Sequence, residues 1–555
     1  MPQVNFTLRH FSFIALICPK LIMKNLTELN QVKQSKQAKP TNQTNKPKRK
    51  KQLASKLHKV LSLIFIPIFL FIALSGMGLN HPDIIKNISL SISSLPENYH
   101  FKQWNRGVIQ TLVKDEKGGI YAAGKNGLGY FFDGSYQQID NPLAINTWQN
   151  FIYSLYYDKA SKQLFIGSRD GLYRYQVVTQ QWHYYSQTSE QRIVSIVKNK
   201  QSNTIIAIAN HHIFTVETAV SSKVANKVKE RAITLAKSSQ TIPLFRFIFA
   251  LHSGELLGMV GILLMDLVAL SLIYFCLSGL YYWLFPKAVG KNLLSKKQQI
   301  KGGRVFRWLA KHHNSWGLVL APLLIISAAT ATVMRPPGLL LIVSGNSPID
   351  VYSSHATENI PYKITKAAFI ENKLVLLTDD GVFSGDFSGN SNTAKFEQIN
   401  FSVPVHGMGA TIFQQQSDGN ILVGSFSGLF VWQEKHDSYR AVTLPEDTKG
   451  ILPVAAYQSE SGLVVFDFFK GKLFDQSSVF SAMPNSINSD AKMALWNFFF
   501  ELHNLRIFQD YIGPFYLLLL LAVALSLLTI TITGILQYLR KGKRQKGKNR
   551  KETYT

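Results

Sequence analysis

Residues 251–284 have the sequence LHSGELLGMVGILLMDLVALSLIYFCLSGLYYWL. From about Leu256 to Leu284 this stretch is apolar apart from one acid, Asp266, and it exceeds the roughly 20 residues that a helix needs to cross a bilayer. Three other stretches, residues 61–79, 316–334 and 512–539, carry no charged residue. In a water-soluble protein all four would have to be buried on every face, so we predict an integral membrane protein with four transmembrane helices.

The formal charge of +27, from 60 Lys and Arg against 33 Asp and Glu in 555 residues, is concentrated in three segments. Residues 31–59, 286–312 and 540–555 contain 26 basic residues and one acid. They fall on one side of a protein with four spans, which by the positive-inside rule is the cytoplasm. We therefore expect membrane lipid as a partner and no nucleic acid, although the KPKRKK run alone would permit it.

These patterns divide the chain into membrane, cytoplasmic and external parts. The predicted spans are residues 60–80, 252–285, 313–335 and 503–539, the cytoplasmic segments are 1–59, 286–312 and 540–555, and the external regions are 82–245 and 336–500. Both termini are expected to be cytoplasmic and the two large loops extracytoplasmic. An apolar patch after Arg9 is too short to span, so either it lies on the membrane surface or the chain starts at Met23, which we favour.

The two halves of the chain repeat each other. His58 and Pro67 in the first span recur 255 residues later as His313 and Pro322, and Leu-His before the second span recurs as Leu-His before the fourth, 251 residues later. Each half therefore consists of a span, an external region and a second span, as in membrane proteins built from parallel repeats.

The external regions contain a shorter period of about 42 residues. Segments such as LFIGSRDGLYRY (residues 164–175) and ILVGSFSGLFVW (421–432) follow a pattern of strand, glycine-containing turn and strand. Three such units occur in each region, which is typical of β-propeller blades. We predict a membrane α fold with an extracytoplasmic all-β part, in which about six propeller-like units form one ring. Two separate small β-domains are the alternative.

Histidines at the ends of the spans are the residues best placed to carry chemistry. The sequence has no phosphate-binding glycine loop, no H-E-x-x-H, no G-x-S-x-G and no C-x-x-C, and its two cysteines exclude a disulfide framework. His58 and His313 lie at the cytoplasmic ends of the first and third spans, and His252 and His503 at the external ends of the second and fourth. Each pair could supply both axial ligands of a b-type haem, giving two haems across the bilayer. Interfacial anchors or helix caps are the alternative roles.

Two further residues are candidates for function in the membrane. Asp266 is the only acid inside the four apolar stretches, and an intramembrane carboxylate is a functional hypothesis by default, as a proton relay or as the partner of a buried cation. The alternative is a hydrogen bond to a neighbouring helix. His81, directly after the first span, is a reserve ligand candidate.

Four stretches carry a resemblance to a known family. They are KLHKVLSLIFIPIFLFIALSGMGLNHPD (56–83), the second span quoted above, HHNSWGLVLAPLLIISAA (312–329) and ELHNLRIF (501–508) with the span that follows. All four resemble the PepSY-associated transmembrane family of bacterial inner-membrane proteins. The resemblance implies a bacterial inner membrane as the location, with the two large loops in the periplasm. The family includes siderophore-associated reductases that bind two b haems through such histidines. The resemblance therefore implies His58, His252, His313 and His503 as haem ligands. The external regions lack a recognisable PepSY domain and are propeller-like instead.

These observations lead to two functional hypotheses. The first is a haem-binding electron-transfer protein, and as an enzyme it would reduce an extracytoplasmic ferric chelate for siderophore-linked iron acquisition. Because the sequence has no nicotinamide or flavin site, a quinol or a partner protein would supply the electrons. The second is a non-enzymatic, membrane-anchored sensor or scaffold, whose propeller-like part binds a partner or ligand.

Overall fold

The computed structural model describes residues 46–144, 146, 149–199, 201–217, 228–236, 241–348, 363–370, 372–378, 381–387, 393–405, 409–416, 418–443, 451–459, 462–474 and 480–552. The apolar patch before Met23, the choice of start and most of the segment 1–59 lie outside these residues.

The helices fall into long apolar ones and short connecting ones. They are α1 Lys46–Asn80, α2 Pro82–Ile85, α3 Leu244–Ser253, α4 Gly258–Gly290, α5 Lys296–Val319, α6 Ala321–Val333, α7 Ser486–Asp490, α8 Leu495–His503, α9 Gln509–Ile512 and α10 Tyr516–Glu552. Within the described residues, three segments are helical and apolar enough to cross a membrane: Leu53–Asn80, Glu255–Gly290 and Arg506–Arg540. Helices α5 and α6 make a fourth only if the two together are one span.

The third predicted span, residues 313–335, is not one continuous helix. Helix α5 ends at Val319, α6 begins at Ala321, and the two axes are bent by 61°. Pro322 occupies the first turn of α6, where its missing N–H removes no helical hydrogen bond. Its repeat counterpart, Pro67, lies inside the unbroken helix α1.

The predicted second and fourth spans, residues 252–285 and 503–539, each begin at the end of a short helix. His252 and His503 lie in the last turns of the short helices α3 and α8. The long helix α4 begins at Gly258, after a turn, and α10 begins at Tyr516, after the short helix α9. The turn after α3 contains Gly254, whose φ of +90° favours glycine. The segment 286–312, predicted as a loop, is mostly helical, because α4 continues to Gly290 and α5 begins at Lys296.

The external regions form antiparallel sheets. Two short pairs are β1 Ser89–Ser91 with β27 Lys492–Ala494, and β14 Thr241–Pro243 with β15 Asn346–Pro348. Four-stranded sheets comprise β2 Thr111–Lys114, β3 Ile120–Gly124, β4 Gly127–Phe132 and β5 Ser135–Ile139; β6 Ile152–Asp158, β7 Gln163–Ser168, β8 Leu172–Gln176 and β9 Gln181–Tyr185; and β20 Ile412–Gln415, β21 Ile421–Ser425, β22 Gly428–Gln433 and β23 Ser438–Ala441. Strands β24 Pro453–Ser459, β25 Gly462–Asp467 and β26 Gly471–Phe474 form a three-stranded sheet.

An eight-stranded sheet joins the two external regions. It contains β10 Ile193–Asn199, β11 Thr204–Ala209, β12 Ile213–Glu217, β13 Val228–Ala236, β16 Ile364–Ile370, β17 Lys373–Thr378, β18 Gly381–Asp386 and β19 Thr393–Ile399. Strands β13 and β19 pair in parallel at its centre, with Ile233 opposite Ala394, and every other pairing in this sheet is antiparallel.

The first strands of successive units contact one another in a closed series. Strand β2 contacts β6, β6 contacts β10, β10 contacts β16, β16 contacts β20, β20 contacts β24, and β24 contacts β2. The apolar residues of adjoining sheets form shared cores, one of which combines Phe131 of β4 with Phe466 of β25 and the buried Trp104. The N-terminal and C-terminal external regions are therefore packed into one body.

The long helices pack against one another both within each half of the chain and between the halves. Helix α1 contacts α4 and α10, and α10 also contacts α5 and α6. Their shared core includes Phe69 of α1, Leu272 of α4 and Val523 of α10. Helix α8 lies against α1, and α3 lies against α6, so each short helix contacts a long helix from the other half. This packing places both external histidines at one end of the helices.

Candidate functional site

The two external histidines meet at the end of the helix bundle. The ring centroids of His252 and His503 are 6.2 Å apart, with 63° between the ring planes. They come from different halves of the chain, His252 from α3 and His503 from α8. We refer to them as the outer pair. The pairing predicted from the internal repeat is thus the one that the fold produces.

His58 and His313 lie near the other end of the bundle and line one cavity. The cavity has a volume of about 320 Å³, and its walls come from α1, α4, α5, α6 and α10. We call these histidines the inner pair. Aromatic rings surround His313: the Phe275 centroid is 5.1 Å and the Tyr282 centroid 5.3 Å from the histidine centroid.

Each of the four histidines is held at Nδ1 by a hydroxyl group on another helix. The partners are Thr533 Oγ1 for His58 (3.1 Å), Thr330 Oγ1 for His252 (2.9 Å), Ser278 Oγ for His313 (2.7 Å) and Ser75 Oγ for His503 (3.2 Å). Backbone carbonyls add further acceptors at Nδ1, Ile530 O for His58 at 2.9 Å and Ile72 O for His503 at 3.1 Å. A backbone hydrogen bond also links His252 to Ser327.

These contacts decide which imidazole nitrogen carries the proton. A carbonyl oxygen can only accept, so Nδ1 of His58 and of His503 must donate. The Thr330 hydroxyl already donates to Ile326 O at 2.8 Å, which leaves its oxygen to accept from His252. With the proton on Nδ1, the lone pair is on Nε2. Metal-bound histidines are commonly fixed in this way, with the remote N–H donated to an oxygen.

The hydroxyl contacts obey the internal symmetry. Thr533 and Ser278 are separated by 255 residues, as are His313 and His58, which they contact. The sequence reasoning missed these hydroxyls as functional residues. A usable signal was present, because a polar Ser or Thr recurs at equivalent places of otherwise apolar spans.

The spacing of the outer pair is compatible with two imidazoles that share one metal atom. No group of three or more His, Cys, Asp or Glu within the described part of the chain could hold a metal ion. A metal–imidazole bond of about 2 Å, with roughly 1.1 Å more to the ring centre, puts two axial imidazole centroids about 6 Å apart. The outer pair has this spacing, at 6.2 Å. Gly76 also gives His503 room, since a Cβ there would lie 3.2 Å from His503 Cε1.

Asp266 and His81 form a pair of their own. His81 Nε2 lies 2.6 Å from Asp266 Oδ2, and Asn80 Nδ2 donates to Asp266 Oδ1 at 3.1 Å. The carboxylate side chain is 14% exposed and the imidazole 36%. The contact joins the end of α1 to α4. It agrees with the alternative role given to Asp266 above, a hydrogen bond to a neighbouring helix. Nε2 of His81 is therefore engaged by a carboxylate, unlike the four histidines held at Nδ1.

Comparison with solved structures finds only distant similarity. Virginiamycin B lyase from Staphylococcus aureus is 9% identical, with 69% of this chain and 87% of that chain covered and a TM-score of 0.33. PorZ, a surface component of the type-IX secretion system of Porphyromonas gingivalis, is 9% identical (67% and 38% covered, TM-score 0.32). The extracellular domain of a protein assigned as a hybrid two-component system of B. thetaiotaomicron is 11% identical, with a TM-score of 0.31. The match covers 67% of this chain but only 39% of that domain, so this chain spans less than half of its length.

Sequence families give a more definite result. No curated protein matches the chain. The family described as the PepSY-associated TM region matches residues 174–541, which include three of the four histidines and the external region between them. This match confirms the resemblance seen in the second, third and fourth spans, and the first stretch, residues 56–83, lies outside it. The chain belongs to the PepSY-associated transmembrane family.

Proposed function

We propose that this protein is a haem-binding membrane protein that transfers electrons across the bilayer and reduces an extracytoplasmic ferric chelate. The observation that carries the proposal is the arrangement of four histidines in two places, each with Nδ1 held by a hydroxyl of another helix. Two bis-histidine haems at opposite ends of a helix bundle suit stepwise electron transfer.

The outer pair would hold one b haem and the inner pair the other. When bound, a b haem carries one electron at a time between ferric and ferrous iron. The chain itself supplies the axial imidazoles, fixes their tautomer through Ser75, Ser278, Thr330 and Thr533, and surrounds the inner pair with apolar side chains. Hydrogen bonds to the remote nitrogen of a ligating histidine tune both the affinity for the metal centre and its reduction potential.

The proposed topology has four spans in a bacterial inner membrane, with α5 and α6 together forming the third. The 26 basic residues in three segments support a cytoplasmic location of both termini. A quinol or a partner protein would then supply electrons near the inner pair, and the chelate would receive them outside.

The proposed external part is a single six-bladed β-propeller. The closed series of contacts between strands β2, β6, β10, β16, β20 and β24 supports it, because a ring of blades requires the last unit to pack against the first. The parallel pair β13–β19 would join the third and fourth blades at their outer edges.

An absorption spectrum tests the haem proposal. Full-length protein, expressed with haem available and purified in detergent, is expected to show a Soret band that shifts on addition of dithionite. The double variants His58→Ala/His313→Ala and His252→Ala/His503→Ala should each lose about half of the haem. His312→Ala is the matched control, because His312 is adjacent to His313 but its Nδ1 lies 2.9 Å from the Trp308 carbonyl of its own helix. Absence of a Soret band in the wild type would overturn the proposal.

A sensor or scaffold is the second candidate function. It is favoured by a large external cavity, described below, whose lining of cations and aromatic rings suits ligand binding without any haem. A phenotype that survives loss of all four histidines but is abolished by substitutions in that cavity would select this alternative.

A further inference from the structure

A large cavity lies beside the outer histidine pair. Its volume is about 1120 Å³, slightly above the usual range for pockets that hold small molecules. The walls come from the segment before β2, from loops of the sheets β2–β5, β6–β9 and β24–β26, from Arg192 just before β10, and from the segment around α8. Phe500 and Glu501 line the cavity and belong to the helix that ends at His503. We call this space the outer cavity.

Four cations in the outer cavity face aromatic rings. They are Lys125 with its Nζ 5.1 Å from the Phe468 centroid, Arg106 5.3 Å from Tyr99, Arg169 5.4 Å from Phe151, and Arg192 4.0 Å from Tyr153. Among the described residues, Lys125, Arg106 and Arg192 form no ion pair with a carboxylate. The Nε atom of Arg192 is buried and has no hydrogen-bond partner within the same residues.

The acids of the outer cavity do not balance these cations. Seven Lys and Arg line it against three acids. Glu501 already accepts from Arg506 Nε at 2.8 Å and from Tyr99 Oη at 2.9 Å. Asp510 accepts from the backbone N–H of Asn98 at 3.0 Å. Outside the three basic segments the chain has 34 basic residues against 32 acids, so the cavity lining is more positive than the rest of the chain on average.

Lys125 shows the energetic effect of that excess. Burial of its ammonium group, and next the charge of Arg106, lower the pKa of Lys125 to about 8, although Glu501 opposes the shift. The other charged groups near it are Arg169 and Arg506, which act in the same direction as Arg106. Cations that are brought together and partly removed from water are stabilised by an anion.

We propose that the outer cavity binds an anion that carries aromatic rings. Carboxylate or phenolate oxygens would accept from Lys125, Arg106, Arg169 and Arg192, and the rings would pack on the aromatic lining. The chemical class of this anion depends on the proposed function. If the protein reduces a ferric chelate, the ligand is a chelate of the catecholate class rather than a neutral hydroxamate. The ligand would then lie next to the helix that carries His503.

Binding of redox-inert gallium chelates tests this inference without any haem chemistry. Full-length protein in detergent is titrated with the Ga³⁺ complex of 2,3-dihydroxybenzoate and with the neutral Ga³⁺ complex of acetohydroxamate, by calorimetry. We expect the catecholate complex to bind at least tenfold more tightly than the hydroxamate complex. Equal affinities, or no catecholate binding, would overturn the proposal. If free 2,3-dihydroxybenzoate binds as tightly as its gallium complex, the ligand is not specifically a metal chelate, and that part of the proposal is refuted.

Substitutions locate the binding in the cavity. Lys125→Met and Arg192→Gln should each weaken catecholate binding at least tenfold, whereas Lys125→Arg retains the charge and should retain binding. Lys162→Met is the control, because Lys162 is half exposed and forms a surface ion pair with Glu116. Unchanged affinity in both Lys125→Met and Arg192→Gln would overturn the assignment. A protein without a Soret band that still binds the gallium catecholate refutes the proposed function alone, and the reverse result refutes this inference alone.

Discussion

Thr330 offers a direct test of whether His252 is a metal ligand positioned by a hydroxyl. Its Oγ1 accepts from His252 Nδ1 at 2.9 Å while donating to Ile326 O at 2.8 Å. Thr330→Val keeps the shape of the side chain and removes this acceptor. A buried donor without a partner costs about 1–3 kcal/mol, and the remaining backbone bond to Ser327 reduces that cost. We therefore expect a loss of about 1 kcal/mol, or roughly fivefold in haem affinity.

The assay is titration of haem into the apoprotein, followed at the Soret band, with thermal unfolding of the apoprotein measured in parallel. Thr332→Val is the matched control on the same helix, since the Thr332 hydroxyl donates to Ala328 O at 2.8 Å. Thr330→Ser restores the hydroxyl and should bind haem within about twofold of the wild type. Equal haem affinity in Thr330→Val and Thr332→Val would refute the role of Thr330 as a positioning residue.

Three further predictions follow from the external part and from the α1–α4 contact. Because the pKa of Lys125 lies near 8, binding of the gallium catecholate should weaken as the pH rises from 7 to 9, and calorimetry of Lys125→Arg should show no such decline. Asp266→Asn weakens the 2.6 Å contact with His81 and should lower the unfolding temperature in detergent. Asp83→Asn is the control and should not lower it, because the Asp83 carboxylate is 81% exposed. Equal unfolding temperatures of the two variants would contradict this prediction. Trp104→Ala should destabilise the external part by about 3–5 kcal/mol in denaturant unfolding. The reason is that Trp104 is 2% exposed in the core shared by the first and last sheets. A loss of stability no greater than that caused by Phe132→Ala, at a residue that is 46% exposed, would contradict this prediction.

Much of the architecture could be predicted from local pattern. The apolar stretches around residues 61–79 and 512–539 are long helices, and the lines at 164–175 and 421–432 each form the second and third strands of a four-stranded sheet. These predictions succeed because bilayer thickness and strand alternation leave periodic signals in the sequence. The break between α5 and α6 was missed because Pro67, at the equivalent place in the other half, does not break its helix.

The candidate site was only partly predictable. The repeat indicates which histidines belong together, because residues related by duplication meet across one axis. The hydroxyl partners and the carboxylate contact of His81 were not predicted, since Thr533 and His58 are 475 residues apart and no local pattern links them. The four cations of the outer cavity are likewise scattered between positions 106 and 192, without a common period.

The sequence by itself therefore determined the membership of the PepSY-associated transmembrane family and the presence of apolar spans with β-sheet regions beside them, and it predicts two repeated halves. Those properties follow from composition and from short-range periodicity, which every segment carries independently. Only the tertiary structure decided which hydroxyl holds which imidazole, that His252 and His503 end short helices beside the outer cavity, and that scattered cations converge there. These properties arise from packing between distant segments, where side-chain contacts depend on how the two halves fold against each other.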